Sequence, residues 1–135
     1  MEYMVWTDGY SVNVKAIDVQ HKKLVEMINT LHAAMSDNSG ARAQKHVVNE
    51  MVNYAMTHFA TEEKYMQQFK YSGYEAHKNE HDVFSKKAMN LKQRFSDGNY
   101  ILTVEILFFL RNWLYKHIMG TDKQYTKCFN EHGLN

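Results

Sequence analysis

The sequence predicts an all-α protein: an antiparallel up-down-up-down four-helix bundle with an N-terminal arm. Three observations predict it. The 135-residue chain has no proline and only six glycines, so long helices meet few breakers. Its apolar residues recur at spacings of three and four through four successive stretches. Short segments rich in turn formers separate them, namely "SDNSG" (36–40), "YSGY" (71–74) and "SDGN" (96–99). Connections this short between helices of similar length favour antiparallel neighbours.

A single domain spans residues 1–135. The arm, residues 1–17, carries apolar Tyr3, Val5, Trp6 and Val12 and is expected to pack along the outside of the bundle. The first helix is expected over 19–36, with Asp18 as its N-cap and an inward stripe of His21, Leu24, Ile28, Leu31 and Met35. The second is expected over 41–70. Its stretch "HFATEEKYM" (58–66) puts His58 and Glu62 one turn apart, on or near the face of Met51, Ala55, Tyr65 and Phe69. The third, over 74–96, has the stripe His77, His81, Phe84, Ala88, Leu91 and Phe95. The fourth, over 100–131 with a distortion near 118–122, carries Ile106, Leu110, Leu114, His117 and Ile118.

Composition excludes several function classes. Sixteen Lys and Arg against fifteen Asp and Glu leave no basic excess for nucleic-acid binding. The single Cys128 makes no internal disulfide and holds no iron–sulfur cluster alone. The N-terminus "MEYMVWTDGY" lacks a signal-peptide pattern. The most apolar run, "YILTVEILFFL", is short and interrupted by Glu105, so no membrane insertion is expected. A cytoplasmic location follows as an expectation.

The polar residues on the apolar stripes carry the chemistry. They are His21 on the first helix, His58 and Glu62 on the second, His77 and His81 on the third, and His117 on the fourth, with Asp122 five residues later. Antiparallel packing brings the starts of helices one and three level with the ends of two and four. One histidine on an apolar stripe is ordinarily a hydrogen-bonded core residue. Five of them and two carboxylates at one level would strand many buried polar groups unless a cation meets them. By contrast, His32, His46 and His132 lie off this level and read as surface or structural residues. Glu63 points about 100° from Glu62 and reads as a solvated charge.

Five imidazoles and two carboxylates exceed the capacity of one six-coordinate ion. With two ions, bridging carboxylates, the histidines and a bridging oxide or hydroxide fill all positions but one, which is left for a small ligand. Abundant imidazole without thiolate favours iron over manganese or zinc. Asp122 is the test of this reading. Five residues turn a side chain about 140° from its partner on an ideal helix, so a π-bulge at "HIMGTD", near Gly120, is predicted to re-aim it. The competing reading makes Asp122 an exposed residue paired with a lysine such as Lys123.

The sequence resembles the hemerythrin family, specifically single-domain bacteriohemerythrins. "WTDGYSVNVKAIDVQH" (6–21), "HFATEEKYM" (58–66), "HKNEH" (77–81) and "WLYKHIMGTD" (113–122) carry the resemblance, in order and across nearly the whole chain. It implies a non-heme centre of two iron ions that binds dioxygen reversibly. His77, His81 and His117 would hold one ion, His21 and His58 the other, and Glu62, Asp122 and an oxo or hydroxo group would bridge them. It also implies a dioxygen pocket, with Leu114 over the ligand and Phe59, Trp113 and Ile118 lining it. The expected role is oxygen carriage, storage or supply, with dioxygen and an oxygen-using enzyme as partners and a monomeric chain. The alternatives are sensing of oxygen or nitric oxide, and di-iron redox activity that reduces peroxide or oxygen. Catalysis is the weaker reading, because the chain lacks the paired Glu-x-x-His motifs of carboxylate-rich di-iron bundles. Sensing is disfavoured because no output domain is recognisable.

Overall fold

A computed structural model of the protein describes residues 2–37, 40–97 and 104–135. After the arm, with a 3-10 turn at Asp8–Tyr10, come α1 (Lys15–Ser36), α2 (Ala41–Gln68), α3 (Tyr74–Ser96) and α4 (Val104–Lys116). The chain continues through a π-helical turn, His117–Thr121, and a 3-10 turn, Asp122–Tyr125, into α5 (Thr126–Glu131). The described residues contain no strand, and no helix among them is long and apolar enough to cross a membrane. The expected start of the fourth helix near residue 100, and parts of the breaks at 36–40 and 96–99, lie outside the described residues.

The four long helices form the expected bundle, because each buries a stripe at helical spacing. On α1 the buried stripe is Ile17, His21, Leu24, Val25, Ile28 and Leu31, and on α3 it is His77, His81, Phe84, Ala88, Leu91 and Phe95. Val48, Met51, Val52, Ala55, Phe59 and Met66 face inward from α2. Each large apolar side chain so buried contributes about 1.5–3 kcal/mol. α4 differs from expectation by one position. Leu107, Leu110 and Leu114 are its buried residues, whereas Ile106 is half-buried at the edge.

The start of the chain also differs from expectation. α1 begins at Lys15, so Asp18 lies inside its first turn rather than capping it. Asp18 instead accepts hydrogen bonds from the Val12 N–H (2.9 Å) and the Ser11 hydroxyl (2.6 Å). Asn13, with φ of 57°, turns the chain into the helix in a left-handed conformation that asparagine tolerates. The arm is more than an outer strap: Met4, Val12 and Val14 are buried, while Val5 is exposed. Asn29 on α1 bonds both the N–H and the C=O of Met4, and the Thr126 hydroxyl donates to the Val12 carbonyl.

Candidate metal centre

All seven sequence-predicted polar residues are buried, and they meet at one end of the bundle. Their ligand atoms fall into two groups, each within 4.8 Å. Glu62, His77, His81, His117 and Asp122 form one; His21, His58, Glu62 and Asp122 form the other. The two carboxylates belong to both. Asp122 lies 3.0 Å from His21 Nε2 through Oδ2, and 2.9 and 3.0 Å from Nε2 of His77 and His117 through Oδ1. Glu62 Oε1 lies 3.4 Å from His58 Nε2 and 3.2 Å from His81 Nε2.

Asp122 reaches the cluster because the helix widens. The π-helical turn over His117–Thr121 adds a residue to one turn, so a separation of five faces inward. The exposed reading of Asp122 is therefore overturned; the residue has no accessible surface. Gly120, however, is not required by this geometry. It is exposed, its φ is not positive, and nothing lies within 4 Å of where a Cβ would sit.

The outward ring nitrogens have partners that orient three of the imidazoles. His58 Nδ1–H donates to the Gln20 amide oxygen (2.6 Å), His81 Nδ1–H to Glu63 (2.9 Å) and His117 Nδ1–H to Glu80 (2.9 Å). Glu63 is thus not the solvated charge expected from its angle on the helix, since the neighbouring α3 brings His81 within reach. Glu80 also accepts from the Thr121 hydroxyl, inside the π-helical turn. The Tyr125 hydroxyl donates to Glu62 Oε2. Gln20, Glu80 and Tyr125 were missed in the sequence. Their only signal there is that Gln20 precedes His21 and that Glu80 lies between the two histidines of "HKNEH".

The electrostatics fit a cation. Burial alone would lower the pKa of His21 and His77, yet Asp122 and Glu62 outweigh it and raise both to about 9. For His58 burial wins and lowers the value to about 4. Burial would raise the Glu62 carboxyl, but the surrounding histidines hold it well below its ordinary range, and Asp122 is depressed likewise. Two further details test the fit. With Nδ1 of His81 and His117 bonded to carboxylates, the two rings bring their Nε2 atoms within 3.0 Å of each other inside the cluster. In addition, both ring nitrogens of His21 and His77, Oε1 of Glu62 and both carboxylate oxygens of Asp122 lack a hydrogen-bond partner. Buried polar atoms left this way are costly, and a positive ion would satisfy the inward-facing ones, Nε2 of His21 and His77 and the oxygens of Glu62 and Asp122.

Apolar residues close one side. Phe59 stacks on His81 (4.0 Å between centroids) and Trp113 on His117 (4.4 Å). Phe59, Trp113 and Leu114 border an apolar gap of about 10 Å³ with Met51, Phe84 and Leu110 among its other walls. Ile118 is buried but does not line that gap. His32 stacks on Tyr3, His46 pairs with Glu50 at the surface, and His132 stacks on Phe69, all apart from the cluster.

Residues 12–128 match the family model described as the hemerythrin HHE cation binding domain. A bacteriohemerythrin of Stenotrophomonas maltophilia (strain R551-3) is 37% identical over 132 residues, covering 98% of this chain and 85% of the relative. One from Methylococcus capsulatus (strain Bath) is 32% identical over 131 residues, covering 96% and 99%. A crystal structure of wild-type hemerythrin superposes with a TM-score of 0.88 at 31% identity, covering 93% of this chain and 97% of that one. A cation-binding domain and a buried cluster of five histidines and two carboxylates together indicate a metal site. In sequence, in fold and in this cluster, the chain belongs to the hemerythrin family.

Proposed function

We propose that this chain binds dioxygen reversibly at a pair of iron ions, for oxygen carriage, storage or supply to an oxygen-using enzyme. His77, His81 and His117 would hold one ion and His21 and His58 the other, bridged by Glu62, Asp122 and an oxo or hydroxo group. The observation that carries this reading is the sharing of both carboxylates between a three-histidine and a two-histidine group. Imidazole and carboxylate donors without thiolate suit iron. When bound, the metal pair supplies the electrons for reversible dioxygen chemistry.

The chain's own residues set what reaches the metals and how the ligands are held. Hydrogen bonds from Nδ1 of His58, His81 and His117 fix those rings with Nε2 turned inward. The apolar gap beside Leu114, Phe59 and Trp113 has room for about one water molecule and offers it almost no polar partner. A small neutral diatomic is suited to such a wall, and water and anions are not. A histidine-rich donor set favours binding over substrate oxidation.

The test is visible absorption of anaerobically reduced, iron-loaded protein through cycles of oxygen addition and removal. A charge-transfer band that appears with oxygen and vanishes on its removal is expected. One irreversible change would favour redox activity or sensing instead, and no band would overturn the iron pair.

A further inference from the structure

We propose that the outward face of α4 pairs antiparallel with the same face of a second copy of this chain, forming a two-fold symmetric dimer. The face is self-complementary. Glu105 and Lys116 lie eleven residues apart, three turns of helix and about 16 Å, so both point outward on one line. Phe109 and Asn112 lie on that line between them, and Phe108 and Trp113 flank it. These six residues border an open groove of about 350 Å³.

The charge pattern selects the occupant. Glu105 and Lys116 are exposed, and neither pairs with another side chain among the described residues. In a two-fold antiparallel arrangement, Glu105 of each copy faces Lys116 of the other, so the dimer has two ion pairs, one at each end. The same register sets Phe109 against Asn112 and Phe108 against Trp113. Phe108 is 52% exposed, which is unusual for a phenylalanine at the centre of a helix face. A parallel pairing would instead put like charges together at both ends. Isologous contacts of this kind are the common route to homodimers.

A contact limited to one 13-residue helix per copy is smaller than a standard interface. The dimer is therefore reversible and concentration-dependent, with a dissociation constant on the order of 10–100 µM. This departs from the monomer expected from the sequence. It is also independent of the ligand at the metal centre.

Sedimentation velocity on the full-length, metal-loaded protein tests it with Glu105→Lys, Lys116→Glu and an equal mixture of the two. Each substitution converts both end pairs into repulsions, so each variant alone should associate at least about tenfold more weakly than the parent. In the mixture, one variant's two lysines meet the other's two glutamates, and association should recover as a heterodimer. Both positions are exposed, so helical circular dichroism should match the parent throughout. A parent chain that stays monomeric to about 1 mM, single variants that associate like the parent, or a mixture that does not recover would each overturn the proposal.

Discussion

The Tyr125 hydroxyl donates to Oε2 of Glu62 at 2.5 Å, tying the turn after the π-helical segment to the late part of α2. The ring itself is fully buried and lies flat against Phe129 at 4.1 Å. Burial, and then the Glu62 carboxylate, push the Tyr125 pKa well above its ordinary value, so the hydroxyl keeps its proton and remains a donor. Tyr125→Phe should preserve the packing yet leave Glu62 without this partner. Metal should then be lost to a chelator about 10–100-fold more readily. Retention equal to the parent would mean that the hydrogen bond does not position Glu62.

Glu80 holds two groups at once, His117 Nδ1–H and the Thr121 hydroxyl. Glu80→Ala should release both and loosen metal retention by about 10–100-fold. Thr121→Ala keeps the carboxylate on His117 and should cost much less. Chelator competition on both variants separates the cases; equal effects would assign the role to Thr121 rather than to the imidazole.

Because Gly120 is exposed and has space for a Cβ, Gly120→Ala should leave metal content unchanged and stabilise the helix by about 0.5–1 kcal/mol. Deleting Gly120 should restore an ordinary α-helical turn with Asp122 four residues after His117, a separation that shares a face, so Asp122 should still reach the cluster and metal content should persist. Metal analysis and thermal melts of the two variants check this. Loss of metal in Gly120→Ala would show that glycine itself maintains the widened turn.

Removing the metal should give the protein a distinctive pH dependence. In the metal-free chain His21 and His77 titrate near 9, against an ordinary 6.5. Groups with raised values contribute stability that is full below about pH 6.5 and lost as pH rises through 9. The depressed Glu62 and Asp122 contribute stability above the ordinary carboxylate range and lose it as pH falls. Metal-free protein should therefore melt progressively lower from pH 6.5 to 9.5. Metal-loaded protein, whose histidines are neutral ligands, should change little over that window. Parallel melting curves would refute the assignment of protons to His21 and His77.

Leu114 is a wall of the apolar gap next to Phe59 and Trp113. Leu114→Ala should cost about 2–5 kcal/mol in stability and open the gap to water and anions. The expected readouts are faster autoxidation of the oxygenated protein and tighter binding of azide to the oxidised form. If neither rate nor affinity moves, Leu114 serves packing alone.

Helix periodicity was enough to identify most of the candidate centre. His58 with Glu62, and His77 with His81, share a face because a separation of four does so on any α-helix, whatever surrounds it. The bundle was legible for the same reason, since each stripe needs a partner. Asp122 was legible only conditionally: its spacing demanded a widened turn, and a local pattern cannot by itself establish one. The pairs Gln20–His58, Glu63–His81, Glu80–His117 and Tyr125–Glu62 were not legible, because each joins residues on different elements, 18 to 63 positions apart. Glu63 shows the limit most directly. Its angle on α2 pointed away from Glu62, and only the packing of α3 against that flank placed His81 beside it. Most of the residues that face the candidate centre are thus set by the repeat of a single helix. The partners that hold the ligands depend on how neighbouring helices are rotated and offset, which tertiary packing alone decides.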